Sequence, residues 1–374
     1  MNLKEYLKKN KSKLKIGLEV HTRLPTKSKL FCSCRNLEDS KKSNKPNENI
    51  CPICLGFPGM RPKINKEAIR KAKQVSLNLG CKINNKIYFS RKSYFYPDLS
   101  KNIQITQHET PVGFEGNLKI IYKGKEKDIR IRRVHLEEDA AKIKRGKSNT
   151  SKIDYNRSGT PLIEIVTEPD IKSIKQTEIF LKTLIGYLKY SGISNPIIKC
   201  DVNVSLFGDR VEIKNVKGIK NVKKALLKEL IRQWKFFKKG EEIKQSTARY
   251  DEDKNKTYIM RTKEDVKDYG YIYEPDLGEY HIKNLEVNQF DMSPNDVFKE
   301  IKSEFNDEFA RTISYNHPTI SMFFIDNKDK DFLNLMLGIK KKKKLDVIEG
   351  NKIKKAYQLY SNKKNKEEIY KIFD

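Results

Sequence analysis

"GLEVHTRL", residues 17–24, reads as one β-strand with two different faces. Successive strand side chains alternate, so Leu18 and Val20 point one way and Glu19, His21 and Arg23 the other. An acid, an imidazole and a guanidinium on one face describe either a solvated edge or the floor of an active site. Other segments with the same pattern decide between them.

Two such segments exist. "VHLEED" holds His135, Glu137, Glu138 and Asp139, and "PLIEIVTEPD" places Glu164 and Glu168 on one strand face. Glu164 lies between Ile163 and Ile165 in an otherwise apolar run. A half-buried carboxylate must be paired, protonated or metal-bound. Several carboxylates with a histidine can hold Mg²⁺, which takes hard oxygen ligands and commonly bridges carboxylates to ATP phosphates. The chain has neither a G-x-x-x-x-G-K-[ST] loop nor a G-x-G-x-x-G turn. A phosphate clamp would therefore come from side chains, with Arg91, Lys92, Lys101, Arg157, Lys214 and Arg249 as candidates.

Cys32, Cys34, Cys51 and Cys54 form C-x-C and C-x-x-C pairs. Two close pairs of soft thiolates suit tetrahedral zinc, and a reducing compartment disfavours the alternative of two disulfides. With four sulfur ligands the zinc has no position left for substrate, so it would be structural, holding loop 32–54. Cys81 and Cys200 stand alone and read as buried, inert thiols.

The elements around these segments are strands first and helices later. Residues 86–145 alternate and carry hairpin turns, and "DVNVSLFGDRVEIK" is a further hairpin. Helices are expected from Asn65 to Gly80, after a Ser173–Gln176 capping box, and over residues 221–239. Past residue 292 the strand signal fades into short helical pieces and the run Lys340–Lys344. The expectation is an α+β domain over 1–292 and a small all-α domain over 293–374.

The 374-residue chain carries a net charge of +29, of which +25 falls on residues 1–292. Such a field favours a polyanion, most obviously nucleic acid, although a lysine-rich solvated surface gives the same number. Mean hydropathy is −0.74, no stretch reaches the apolar length of a membrane span, and the N-terminal residues lack the apolar core of a signal peptide. A soluble, cytoplasmic protein is expected.

"IGLEVHTRL", "CPICLGFPG", "RKSYFYPDLSKNIQITQ", "RVHLEEDAAK", "DYNRSGTPLIEIVTEPD", "DVNVSL", "RVEIKNV" and "DYGYIYEPDL" follow one another across residues 14–282. In that order they resemble the B-subunit family of the tRNA-dependent amidotransferases, and less closely the related archaeal E subunit. The resemblance implies a cradle domain related to the glutamine synthetase fold, followed by a helical domain. It also implies a ligase reaction. ATP with Mg²⁺ phosphorylates the side-chain carboxylate of Glu-tRNA(Gln) or Asp-tRNA(Asn). Ammonia from an amidase (A) subunit then displaces the phosphate, and a small C subunit completes a heterotrimer.

By motif position, Glu19, His21, Glu138 and Glu164 match the family's metal site, and the four cysteines match a zinc site that some members have. Strict alternation puts Glu137, not Glu138, beside His135, whereas a bulge at Arg132–Arg133 would reverse them. Both are therefore carried as candidate catalytic residues. Two departures stand out. Gly270 replaces the arginine of the usual "DYRY", so Arg261 or Lys263 would have to substitute. The residues after the cradle leave room for a reduced helical domain, so the family's tRNA-gripping tail is expected to be absent or separately encoded. Basic cradle surface, or Lys340–Lys344, would then contact tRNA. Two other readings are a zinc-containing RNA-binding module without catalysis, which leaves the acids unexplained, and a Mg²⁺-dependent nuclease, which leaves the motif order unexplained.

Overall fold

The computed structural model describes residues 2–10, 13–37, 45–146, 150–262 and 270–374. The first half of the chain runs α1 (Leu3–Lys9), β1 (Lys15–Arg23), α2 (Pro52–Leu55), α3 (Lys66–Asn78), β2 (Lys82–Ile83), β3 (Lys86–Tyr88), β4 (Ser90–Ser93), β5 (Ile103–Thr106), β6 (Gly113–Tyr122), β7 (Lys125–Glu138), β8 (Lys142–Arg145), β9 (Ser151–Asp154) and β10 (Pro161–Thr167). Then come α4 (Ile174–Tyr190), β11 (Lys199–Ser205), β12 (Val211–Lys217), α5 (Gly218–Lys239), β13 (Ser246–Asp251), β14 (Lys256–Thr262), β15 (Ile272–Tyr273) and β16 (Glu279–His281). The remainder is helical: α6 (Pro294–Lys302), α7 (Asp307–Asn316), α8 (Pro318–Asn327), α9 (Lys330–Lys342), α10 (Gly350–Ser361) and α11 (Lys366–Lys371).

Contacts divide the chain into two units, Met1–Ile179 with Ile197–Gln289, and Phe180–Pro196 with Phe290–Asp374. The first is built on a large sheet of order β14-β13-β12-β11-β1-β10-β7-β5-β4-β15, with β6 on β7 and β2 on β6. Its described pairings are antiparallel except β12–β13. The fold is thus mixed α and β with an antiparallel-rich sheet, compatible with the α+β expectation.

The sheet holds together through one apolar face. Ile16, Leu18 and Val20 of β1, Ile163 and Ile165 of β10, Val134 and Leu136 of β7, and Val202 and Val204 of β11 are all buried. Helix α3 packs on β6 and β7, and α5 on β11, β12 and β14. Both helices end as their sequences dictate. Asn65 caps α3 by accepting the Glu67 and Ala68 N–H groups, and Gly240, at φ 75°, stops α5. Burying one face fixes the register, since a one-residue slip would turn every apolar side chain to water. The alternate residues of the same strands therefore form one polar face.

In the second unit the described elements are helices around Phe298, Tyr315, Phe332, Met336, Ile339 and Ile353. Lys340 to Lys342 occupy the last turn of α9, where cations are favoured by the helix dipole.

Candidate functional site

Five neighbouring strands, β12, β11, β1, β10 and β7, supply the polar face. His21 on β1 is the direct partner of Glu164 on β10, which is the partner of His135 on β7. On the other side, Glu19 faces Asp201 of β11, and His21 faces Lys199. The strand of the opening stretch is thus central, not an edge.

The acids gather into two adjoining groups. In the first, His21 Nε2 lies 3.3 Å from Glu164 Oε2 and 3.5 Å from Glu137 Oε1, while His135 Nε2 lies 3.1 Å from the same Glu164 oxygen. In the second, carboxylate oxygens of Glu19, Asp201 and Glu212 come within 4.8 Å of one another, as do the ligand atoms of His21, Glu137 and Glu164. Lys214 Nζ bridges Asp201 at 2.7 Å and Glu212 at 2.5 Å. A register shift between β11 and β12 places Asn215, at φ 58°, so that its N–H donates to Asp201 Oδ1 at 2.7 Å. Asparagine is among the few side chains that tolerate this left-handed conformation.

The electrostatics describe a site with more negative charge than its protein cations neutralise. Burial pushes Glu19 up, and Glu164, Glu212 and Asp201 add to the rise against Lys214. Burial likewise raises Glu137. Burial opposes charge on His21, but Glu164, Glu137 and Asp201 outweigh it and push the imidazole up to about 10. Glu164, though buried, is held well below the usual carboxylate range by His135 and His21. A divalent cation would relieve this surplus, and the donor set of carboxylates plus imidazole fits Mg²⁺ or Mn²⁺. His135 Nδ1 is buried without a partner.

Between Arg133 and Glu138, β7 alternates strictly. Its irregularity against β10 falls earlier, where Val166 pairs with Arg133 but Thr167 with Ile131. The bulge therefore lies at Arg132 and does not exchange the two acids. Glu137 joins the histidines, and Glu138 turns to the opposite side, where Lys101 Nζ at 2.6 Å and the Ile105 N–H at 3.0 Å hold it. Asp201 and Glu212 were not among the residues expected from sequence, although both alternate with buried valine or isoleucine in their strands. Glu168 lies just past β10 and pairs with Arg132 at 2.8 Å.

The expected phosphate-binding cations are mostly engaged. Arg91 makes two bonds of 2.8 Å to Glu274, which is 1% exposed. Arg157 donates to the Ala140 and Ala141 carbonyls. Lys101 and Lys214 serve the acids named above, and Arg249 lies 3.7 Å from Asp251. Lys92 is half-buried and close enough to lower Glu137. Arg261 is half-buried, opposite Thr247, Gly270 is exposed at φ 50°, and Lys263 lies outside the described residues.

A second donor cluster lies in the cysteine loop. The sulfurs of Cys32, Cys34, Cys51 and Cys54 are within 4.8 Å of one another, and none is in a disulfide. Sulfurs about 2.3 Å from one zinc at tetrahedral angles stand about 3.8 Å apart, so the donors fit. Cys51 caps α2 and its N–H reaches Cys54 Sγ at 3.1 Å. Lys29, with no exposed surface, sets its ammonium 3.7 Å from Cys54 Sγ and 2.9 Å from the Asn49 carbonyl. A hydrogen bond from Cys32, with Lys29 nearby, pulls the Cys54 thiol down to about 5, whereas burial pushes Cys34 up to about 11. The thiolate is the metal-binding form, so the downward pull on Cys54 favours zinc capture.

Comparison with known proteins agrees with the motif order. Residues 14–288 match the family described as the GatB/GatE catalytic domain. The chain is 44% identical over 274 residues to the B subunit of the aspartyl/glutamyl-tRNA(Asn/Gln) amidotransferase of Persephonella marina, covering 70% of this chain and 57% of that protein. It is 42% identical over 309 residues to a B subunit of the same enzyme from Clostridium acetobutylicum, covering 79% and 64%. A Clostridium kluyveri relative is 37% identical over 330 residues, covering 85% and 67%. The chain thus spans somewhat over half the length of the first of these relatives.

Proposed function

Because the chain belongs to the GatB/GatE catalytic-domain family, we propose that it is the activating subunit of a tRNA-dependent amidotransferase. The first unit is read as a cradle related to the glutamine synthetase fold, and the second as its helical companion. The observation that carries the reading is the pair of carboxylate clusters on one sheet face. A polyanion-binding module has no reason to bury Glu137, Glu164 and Asp201, with Glu19 and Glu212 half-buried beside them, next to two histidines.

The side-chain carboxylate of Glu-tRNA(Gln) or Asp-tRNA(Asn) is a poor electrophile. Its oxygen attacks the γ-phosphorus of ATP, ADP leaves, and an acyl phosphate forms. Ammonia, generated by an amidase (A) subunit in a complex that includes a small C subunit, attacks the acyl carbon. Phosphate departs, and the extra proton goes to a base. Mg²⁺ bound here would neutralise charge on the transferring phosphoryl group. Glu164 and Glu137 would hold that cation, His21 would join them once the cation displaces its proton, and Glu19, Asp201 and Glu212 lie beside them. Glu19, held in a raised range by burial, would accept the proton. Glu138 would act through Lys101 and the start of β5. Lys92, Arg249 and Arg261 would serve the ATP phosphates. The four cysteines would hold a structural zinc. The described residues include no helix long and apolar enough to cross a membrane, in keeping with work in the cytoplasm.

The test is ADP release by the chain with its amidase partner, Mg²⁺, glutamine and either misacylated tRNA. Release that requires one of these tRNAs supports the reading and names the substrate. No release with either, from a folded and zinc-loaded complex, overturns it in favour of an RNA-binding module.

A further inference from the structure

The matched family span begins at residue 14, and helix α1 precedes it. Asn2 and Glu5 form a reciprocal capping box that starts this helix. Its buried residue, Tyr6, enters an aromatic cluster with ring centroids 5.0 Å from Phe207, 5.4 Å from Trp234 and 5.7 Å from Phe237. Trp234 and Phe237 belong to the last turns of α5, so the cluster clamps α1 beside that helix end.

The clamp concentrates positive charge. Lys4, Lys8 and Lys9 of α1 are exposed, and so are Lys235 and Lys238 of α5. No described carboxylate forms an ion pair with any of these five, and Lys238 rests over the Trp234 ring at 5.3 Å. Some exposed cations of this unit are answered by carboxylates, Lys82 by Glu115, Lys86 by Glu279, Arg130 by Asp170 and Arg132 by Glu168. The nearby acids do not balance the surface. Glu5, held by the Asn2 N–H, and Glu241 and Glu242 past the end of α5 are fewer than these lysines, and Glu241 lies beside a further one, Lys239, at 3.7 Å. A cation in a helix's last turn helps its own dipole, and five exposed lysines on two helices held together by one aromatic cluster offer a polyanion several contacts.

We infer that α1 and the C-terminal end of α5 form a surface that binds the phosphate backbone of RNA. Naming the RNA as the tRNA substrate rests on the function proposed above. A bilayer surface fits less well. Tyr6 is buried and Leu3 and Leu7 are half-buried, so α1 offers no free apolar face to insert. Lysine points without a fixed fork suit sequence-independent backbone contacts.

The experiment measures binding of unacylated tRNA(Gln) to the full chain as a function of salt. It compares the wild type with Lys4→Gln/Lys8→Gln/Lys9→Gln, Lys235→Gln/Lys238→Gln and their combination, with Lys82→Gln/Lys86→Gln as the control. Zinc content and circular dichroism check folding. Each lysine on a phosphate contributes roughly 0.7–0.9 to the slope of log K against log salt. The combined variant is expected to lose roughly 2 to 4 from that slope and about 10- to 100-fold in affinity at moderate salt, while the control stays at wild type. An unchanged slope, an equal loss in the control, or a wild type that does not bind tRNA would each overturn the surface. So would loss of binding to anionic vesicles with tRNA binding intact. Tight tRNA binding lost in the combined variant, without ADP release by the wild type, would keep the surface and overturn the proposed reaction instead.

Discussion

His21 Nε2 and Glu164 Oε2 stand 3.3 Å apart on residues that are direct register partners across β1 and β10. The carboxylate is ionised despite burial because two imidazoles hold it. Glu164→Gln keeps the shape and removes the charge. ADP release is expected to fall at least ~100-fold, the scale of losing one preorganised electrostatic group, with tRNA affinity within about twofold by the binding assay. The His21 imidazole, now near 10, should fall toward its ordinary value in an NMR titration. An unmoved His21 would show that Glu164 is not its partner.

The cysteine loop predicts one bound zinc per chain. Metal analysis of protein purified without chelator should find it, and Cys51→Ser or Cys54→Ser should lose it. Because a structural site converts metal affinity into folding energy, chelation should lower the melting temperature by more than about 5 °C. A full-strength melt with no zinc would place the loop's stability in its hydrogen bonds alone.

Arg91 separates two roles. Its two hydrogen bonds to Glu274 make it a structural partner of a buried acid. Arg91→Met leaves that carboxylate with the Asp276 N–H at 3.2 Å but no cation, and should cost about 2 kcal/mol by urea denaturation, less than a fully buried pair because the guanidinium is partly exposed. A variant with wild-type stability but no ADP release would make Arg91 a phosphate ligand instead.

His317, in the second unit, predicts a pH dependence. Burial, with Lys340 and Lys189 nearby, depresses it from 6.5 to about 4. The unfolded chain therefore takes up this proton first. Stability is complete above pH 6.5 and is lost as pH falls through the interval down to about 4. The loss should reach about 1–3 kcal/mol, and His317→Gln should flatten the acid limb. An unchanged limb in the variant would assign the loss to other groups.

Gly186 lies in α4, where alanine would ordinarily gain about 1 kcal/mol of helix propensity. Here an added Cβ would meet Tyr315 Cδ1 at 2.9 Å and its Cα at 3.2 Å. Gly186→Ala is expected to destabilise by about 1–3 kcal/mol, read from the urea midpoint. A stabilised variant would mean that α7 can withdraw.

The alternation of Leu18 and Val20 with Glu19 and His21 was legible because burial on one face is a local, period-two property. So was the placement of Glu137 with His135. Resolving Glu137 from Glu138 needed the position of the bulge, which strand pairing sets. Asp201 and Glu212 carried the same alternation signal, yet nothing local says that β11 and β12 lie next to β1. The Arg91–Glu274 pair joins residues far apart in sequence, and each alone reads as solvated surface. Helix α1 left a visible trace in its Asn2–Glu5 spacing, but its place beside Trp234 depends on aromatic packing that spacing does not encode.

Strand β1, near the start of the chain, lies between β10 and β11, with residue 19 paired to residues 166 and 201. Both pairings close very long loops, which cost chain entropy before any contact rewards it and slow folding. During synthesis Glu19 and His21 leave the ribosome early, but their neighbours in the sheet do not yet exist. The two carboxylate clusters are incomplete until β12 ends at Lys217. The strand that carries the first two candidate ligands is made early and waits for its place.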